Sequence, residues 1–465
     1  MSEQRASFSH LGFIIAAAGS AIGLGNIWKF PYITYANNGG SFVLIYLAAV
    51  VAIGAPVMMA EILIGRRTSK SPVSAFLELA RGVAGGRLWA AVGYLGVATG
   101  FVILSYYSVV AGWTVYYFGK CIIWSFQGFT PEVAATLGDQ FGAFLGDGTL
   151  QISFHAFFMA LTMAVILMGV SQGIERVTKV LMPVLFVLLV ALCLASALSP
   201  GFGEAISFLF STTSITRDGI LEAVGQAFFS LSLGMGAMIT YGSYTTRKQS
   251  IRRDALMICV LDTVIALMAS LVMFSVIFSV PAAERAGTFS ASSTILFTTL
   301  PRLLYDLPGG ALWSPMFYLL VAFAALTSTI SLLEVVVSYF IDHLGWRRLR
   351  ATLVVGLVTT GLGVFAALSL GANEALTSWA PFGEHDAGVF GSLDYLATNW
   401  LLPVGGFFIA LFAGWFLSER ITRDELEAGA GPFRLYWMWR WALRVVCPIA
   451  IGWIIFAVIQ GKAFN

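Results

Sequence analysis

The sequence predicts an all-α integral membrane protein of eleven transmembrane helices, and three observations predict it. Of 465 residues, 58% are hydrophobic and 11% are charged, whereas a soluble protein carries about 25% charged residues. Apolar runs near the ~20 residues needed to cross a bilayer recur along the whole chain. Two of these runs, five spans apart, are interrupted by glycines and polar residues. The mean hydropathy of +0.85 leaves little chain for domains outside the membrane. The net charge of +2 implies no nucleic-acid partner, and the expected surroundings are the lipid bilayer.

The spans are expected at 11–34, 41–65, 88–119, 152–169, 176–198, 220–245, 253–280, 310–342, 349–370, 393–418 and 437–460. With the N-terminus inside, twenty Lys and Arg fall on inner segments and five on outer ones, while Lys29 lies within a span. Positive charge gathers on the cytoplasmic side, so the N-terminus is expected to be cytoplasmic and the C-terminus outside, in the plasma (inner) membrane. Met1–His10 has no signal-cleavage pattern, so span 1 is expected to be retained. Cys121, Cys193, Cys259 and Cys447 show no metal-ligand spacing. Cys121 alone is expected in an outer loop, so no intramolecular disulfide is expected there.

Span 1 contains Gly19-Ser20-Ala21-Ile22-Gly23-Leu24-Gly25-Asn26, then Ile27-Trp28-Lys29-Phe30-Pro31. Irregular backbone at membrane depth is tolerated only where protein buries it or it lines a wet cavity. A broken helix offers N–H groups to anions and carbonyls to cations. Span 1 therefore suggests a site for an ion and a small charged solute. Ser232-Leu233-Gly234-Met235-Gly236 interrupts span 6 in the corresponding way. Five spans separate the two breaks, and five is odd, so the second half starts from the opposite face and the repeat is inverted. Glycine pairs such as Gly19/Gly23 and Gly96/Gly100 also serve plain helix packing. The polar residues beside the breaks favour a site.

One feature points toward an enzyme. Gly169-Val170-Ser171-Gln172-Gly173 fits the serine-hydrolase elbow pattern. That motif needs a strand before it and a helix after it. Here it ends an apolar helical span, and no enzymatic activity is expected.

The run from Gly19 to Pro31 resembles the span-1 signature of neurotransmitter:sodium symporters, in particular their bacterial amino-acid branch with the leucine-transporter fold. Gln226-Ala227-Phe228-Phe229-Ser230-Leu231-Ser232-Leu233-Gly234 resembles their span 6, and Leu326-Thr327-Ser328 their span-8 sodium site. Gly173 and Pro183, with nine residues between, match their span-5 motif. The resemblance runs from about residue 11 to 460. It implies one transporter domain over 1–465, with a first repeat at 11–198, an inverted second repeat at 220–418 and an accessory helix at 437–460.

The resemblance further implies two sodium sites. The first carries over to the backbone oxygen of Ala21 with Asn26, Ser230 and Asp262. The second carries over to the backbone oxygens of Gly19, Ile22 and Ala324 with the hydroxyls of Thr327 and Ser328. Hard cations take such oxygens, although Thr and Ser in a helix also bond back to carbonyls. Asp262 stands alone in the apolar run 257–265, and an acid at a helix centre costs about 2.5–3.5 kcal/mol on insertion scales. Chloride-dependent relatives usually have Asn there, with chloride among residues that Tyr46, Gln226 and Ser230 match. A fixed carboxylate would make a mobile anion redundant, so Asp262 is expected to contact sodium and transport to be independent of chloride. The alternative is a structural acid satisfied by neighbouring hydroxyls. Glu61 is expected to cap backbone freed in span 6, and the role of Glu334 is open.

For substrate, the N–H groups of Leu24 and Gly25 suit a carboxylate, helped by Tyr107 and the first sodium. The amine would meet carbonyls of Ala21, Phe229 and Ser230 and the hydroxyl of Ser232. Amine-transporting relatives have Asp where this chain has Gly23, which leaves room for a substrate with its own carboxylate. The side-chain pocket carries over to Ile103, Tyr107, Phe229, Met235, Ser328 and Leu332. Met235 replaces a Phe of the leucine-selective pattern, and the unbranched thioether adapts to larger groups. The outer gate carries over to Lys29 with Asp394, and Tyr107 over Phe229. The inner gate carries over to Arg5, Asp342 and Tyr244, with Phe8 where the family usually has Trp and the spacing to Gly12 one residue short. Lys29 replaces the commoner Arg, so a two-pronged pair is lost. The implied activity is sodium-coupled import of hydrophobic, bulky or aromatic L-amino acids. A receptor that binds without transporting is an alternative, as is an amine carrier of the same fold, which Gly23 argues against.

Overall fold

The computed structural model describes residues 7–281, 285, 295–381 and 388–463, and among them there are helices but no strand. Apolar stretches in hydrocarbon must satisfy their own backbone groups, which helices do residue by residue. Among the described residues nine helices are long and apolar enough to cross a membrane, from Gly40–Thr68 and Gly86–Gln127 through to Tyr436–Ile459. They coincide with expected spans 2–5 and 7–11. His10–Ala21 and Gly25–Ala36 form span 1, bent by 52° at the break. Span 6 consists of Arg217–Ser230 and Ala237–Gly242, each too short to cross alone. With it, the described helices account for all eleven expected spans.

The two breaks have different local causes. In span 1, Ile22 takes extended backbone (φ −74°, ψ 105°), and the helix ladder stops. Asn26 Oδ1 then accepts from the Gly23 N–H at 3.1 Å, replacing a bond the helix would have supplied. In span 6, Ser232, Gly234 and Gly236 all take positive φ (53°, 84° and 77°). A Cβ on Gly234 would lie 2.4 Å from the Leu402 carbonyl oxygen, so this turn admits only glycine. The Gly234 N–H donates to Glu61 Oε1 at 2.7 Å. A buried span-2 acid thus caps the unwound stretch of span 6, as anticipated.

Burial sorts the spans into inner and outer. The most apolar window of Gly310–Asp342 is 89% buried, against 28% for Val170–Ser196, so span 8 is central and span 5 faces lipid. Cys121 departs from its expected place. It is buried within Ala90–Gln127, because span 3 continues beyond the bilayer-length run as helix.

Candidate functional site

The break in span 1 meets the break in span 6 at three groups of residues. In the first, Asn26 Nδ2 donates to Asp262 Oδ1 at 2.7 Å and to Ser230 Oγ at 3.1 Å. Ser230 Oγ donates to Asp262 Oδ2 at 2.7 Å, and the Tyr46 hydroxyl donates to the same oxygen at 3.1 Å. All four side chains are buried. Among the described residues no Lys, Arg or His pairs with Asp262. A carboxylate this deep, satisfied by neutral donors but lacking a countercharge, favours a cation beside it. The expected residues Asn26, Ser230 and Asp262 therefore converge, and Ala21 ends the adjoining half of span 1. Gln226 turns its amide nitrogen to the Gly25 carbonyl at 3.4 Å.

The second group joins spans 1 and 8. Ser328 Oγ lies 3.4 Å from the Ile22 oxygen and 3.2 Å from the Ala324 oxygen. Thr327 Oγ1 lies 3.0 Å from the Ala324 oxygen. A Cβ on Gly19 would come within 3.1 Å of Thr327 Cβ, so the backbone of span 1 approaches span 8 closely here. All five expected residues meet, and the hydroxyls also bond back to their own helix.

The third group lines a small cavity between the breaks. It is lined by Ala21, Gly23, Gly25, Ile103, Tyr107, Phe229, Ser230, Ser232, Met235, Ser328 and Leu332, all anticipated. Leu24 is the exception. Its N–H donates to the Tyr107 hydroxyl at 2.9 Å, so it is not bare, and the residue lines an outer cavity instead. Among the described residues the Gly25 N–H at the break meets no acceptor, and the Tyr107 hydroxyl, having accepted from Leu24, keeps its proton to donate. Ser20 and Ser331 also line the cavity and were missed. Ser20 stands inside the motif that marked the break, and that position was the available signal.

Tyr107 and Phe229 line both cavities and form the wall between them, in keeping with their expected gating position. The charged outer gate is arranged differently from expectation. Lys29 and Asp394 both line the outer cavity, yet no ion pair joins them among the described residues. The Lys29 ammonium sits 4.5 Å above the Phe229 ring, and Asp394 Oδ1 accepts from Thr398 at 3.3 Å. A compact ammonium on a flexible stem can settle on an aromatic face where a forked guanidinium would reach for a carboxylate.

On the inner side, Arg5 lies outside the described residues. Asp342 Oδ2 accepts from the Ser71 N–H at 2.7 Å. Tyr244 donates to Glu334 Oε1 at 2.6 Å, and Arg348 grips both oxygens of Glu334 at 2.9 and 2.7 Å. The Phe8 ring packs edge-on against Tyr241 and Tyr244, with centroids 5.5 and 5.7 Å apart. Glu334, whose role the sequence left open, is thus the centre of a buried ionic plug below the cavity.

Two broken helices that enclose a cavity, with oxygen clusters beside it and aromatic and ionic closures above and below, define an ion-coupled carrier of small solutes. The chain belongs to the Sodium:neurotransmitter symporter family, which it matches over residues 5–129 and 142–464. It is 35% identical over 456 residues to the uncharacterized sodium-dependent transporter YhdH of Bacillus subtilis (strain 168), covering 97% of each chain. It is 24% identical over 487 residues to the human sodium- and chloride-dependent GABA transporter 2, covering 94% of this chain and 77% of that one. Among solved structures it superposes on MhsT in complex with L-phenylalanine with a TM-score of 0.86 and 36% identity, covering 98% of this chain and 100% of MhsT. The protein is a multi-pass, sodium-dependent membrane transporter with the leucine-transporter fold.

Proposed function

We propose that this transporter imports hydrophobic L-amino acids, bulky and aromatic ones included, by alternating access with two sodium ions and without chloride. The observation that carries the substrate class is the seat at Gly23. A Cβ there would lie 2.6 Å from Ser328 Oγ and 2.8 Å from the Tyr107 hydroxyl. The Asp of amine carriers would fit at this position only if Ser328 Oγ and the Tyr107 hydroxyl moved aside. The first ion, held on the protein side by Asp262, then has its open side for the substrate's own carboxylate, with the Gly25 N–H and Tyr107 as the carboxylate's other partners. Ile103, Met235 and Leu332 leave an apolar compartment for the side chain. The resemblance to a structure holding L-phenylalanine supports the same class.

The sodium roles follow the two oxygen clusters. Ala21, Asn26, Ser230 and Asp262 hold the first ion, and Gly19, Ile22, Ala324, Thr327 and Ser328 the second. Asp262 supplies the fixed negative charge that a mobile chloride would otherwise bring. Lys29 and Asp394 close the outer cavity over bound substrate, and Arg5, Asp342 and Tyr244 release it inward. The halves 11–198 and 220–418 rock against each other, with 437–460 accessory, the N-terminus cytoplasmic and the C-terminus outside the plasma membrane. At 100 mV two sodium ions contribute about 4.6 kcal/mol electrically. A tenfold gradient adds about 1.4 kcal/mol per ion. Together, roughly 7 kcal/mol concentrates a neutral zwitterion about 10⁵-fold.

Counterflow of labelled leucine and phenylalanine in proteoliposomes tests the reading. Sodium-dependent exchange is expected for both and not for a decarboxylated analogue such as phenethylamine. Binding without exchange would leave a receptor, and exchange of the amine would overturn the role given to Gly23.

A further inference from the structure

The cavity is apolar on the side of Met235 and Leu332, but Ser20 and Ser331 also line it. Their exposures are 2% and 1%, so neither hydroxyl is served by bulk water. Their protons are committed in a chain. Ser331 Oγ donates to the Ser328 carbonyl at 2.8 Å, and Ser20 Oγ donates to Ser331 Oγ at 2.8 Å. A hydroxyl has one proton and two acceptor lone pairs. The relay ends at Ser20, whose oxygen accepts from no group among the described residues. A buried hydroxyl oxygen that donates but does not accept keeps its lone pairs free for a donor that a ligand brings.

The position along the chain indicates which part of the ligand meets it. Ser20 precedes the break in span 1, whereas the Gly25 N–H, the seat for a carboxylate, follows it. Ser331 adjoins Leu332, part of the apolar compartment. The carbonyl of Ser20 is itself engaged by Ser232 Oγ at 2.8 Å, so this turn is held in place.

From this geometry we infer that the Ser20–Ser331 relay is a specificity element that selects aromatic amino acids whose ring carries a hydrogen-bond donor, such as the N–H of an indole. This rests on the amino-acid reading given above and names the substrate class more narrowly. An aliphatic side chain or a plain phenyl ring fills the compartment but leaves the Ser20 oxygen unmet. An indole fills it and donates. A site built to receive a polar hydrogen discriminates against the shape-matched analogue that lacks it.

The test uses the full chain in proteoliposomes and compares tryptophan with 3-(3-benzothienyl)alanine, in which sulfur replaces the ring N–H and little else changes. Each is titrated against sodium-driven uptake of labelled phenylalanine. With the unaltered protein, tryptophan is expected to compete roughly three- to tenfold better than its sulfur analogue, the range of one hydrogen bond. In Ser20→Ala the ratio is expected to fall to about one, whatever the absolute uptake. Equal competition by the two ligands in the unaltered protein would overturn the inference without touching the transport reading. A ratio unchanged in Ser20→Ala would overturn it as well. Absence of sodium-driven phenylalanine uptake in the unaltered protein would instead overturn the reading beneath it.

Discussion

The Asp262 carboxylate lies 2.7 Å from the amide nitrogen of Asn26, so the acid in the middle of span 7 is fastened to the break in span 1. Asn26 turns its oxygen the other way, to the Gly23 N–H at 3.1 Å. One amide thus holds the broken backbone on one side and a buried negative charge on the other. Any cation drawn to that charge is placed where the substrate's carboxylate is expected.

Replacing Asp262 with Asn keeps the shape and removes the charge. A charged hydrogen-bonding partner contributes about 1.5–3 kcal/mol, so the sodium concentration for half-maximal uptake is expected to rise roughly tenfold or more. Added chloride is expected to restore part of the loss in Asp262→Asn and to do nothing in the unaltered protein. Sodium titrations at constant ionic strength, with gluconate as the replacing anion, measure both.

Gly23→Ala places a methyl group against Ser328 Oγ and the Tyr107 hydroxyl, at 2.6 and 2.8 Å before any shift. Overpacking of this kind costs about 1–3 kcal/mol. Substrate affinity is expected to fall roughly five- to a hundredfold. Binding of a labelled amino acid to the purified variant measures it.

Glu61→Ala takes the acceptor from the Gly234 N–H, which the structure pairs at 2.7 Å. A buried donor left unmet costs about 1–3 kcal/mol. Lower thermal stability in detergent is expected, together with slower transport, because the cap lies under the substrate cavity.

How much of this was legible in the sequence depended on whether a residue was out of place in hydrocarbon. Asp262, Asn26 and the glycines of the two breaks are anomalies in apolar runs, and the structure gathers them at the breaks. Spans showed as length and hydropathy, although the two halves of span 6 are each too short to cross a membrane. What escaped was partner choice. Hydroxyls in membrane helices usually bond to their own backbone, so Ser20 and Ser331 gave no sign of facing each other across spans 1 and 8. Lys29 and Asp394 showed as opposite charges on the same side. The aromatic face of Phe229, which Lys29 covers instead, enters only through packing. The plug of Tyr244, Glu334 and Arg348 joins three distant segments and needs the fold to assemble it.

The inner face allows a contrast between two adjacent acids. Arg66 and Glu425 pair at 2.8 Å with side chains only 1% exposed, so Glu425→Gln strands a buried guanidinium. A loss of about 3–5 kcal/mol is expected. Asp424 is 45% exposed and pairs with Arg247 at 2.7 Å. Asp424→Asn is expected to cost less than about 1 kcal/mol. The Arg247 hydrogen bond, with Arg67 adding to it, holds the Asp424 carboxyl below its usual range. A depressed folded-state value means its contribution is present above the unfolded pKa of about 3.9. It is lost only as pH falls through the lower folded value. Melting curves of both variants at pH 5–8 are therefore expected to differ from each other but to show no pH trend from Asp424.

The most direct test of the central claim is uptake of tryptophan and leucine into proteoliposomes under an inward sodium gradient, with all chloride replaced by gluconate. Accumulation that needs sodium and survives the loss of chloride is the predicted result. No sodium-driven uptake of either would contradict the amino-acid symport itself, and uptake that vanishes only without chloride would contradict the part assigned to Asp262.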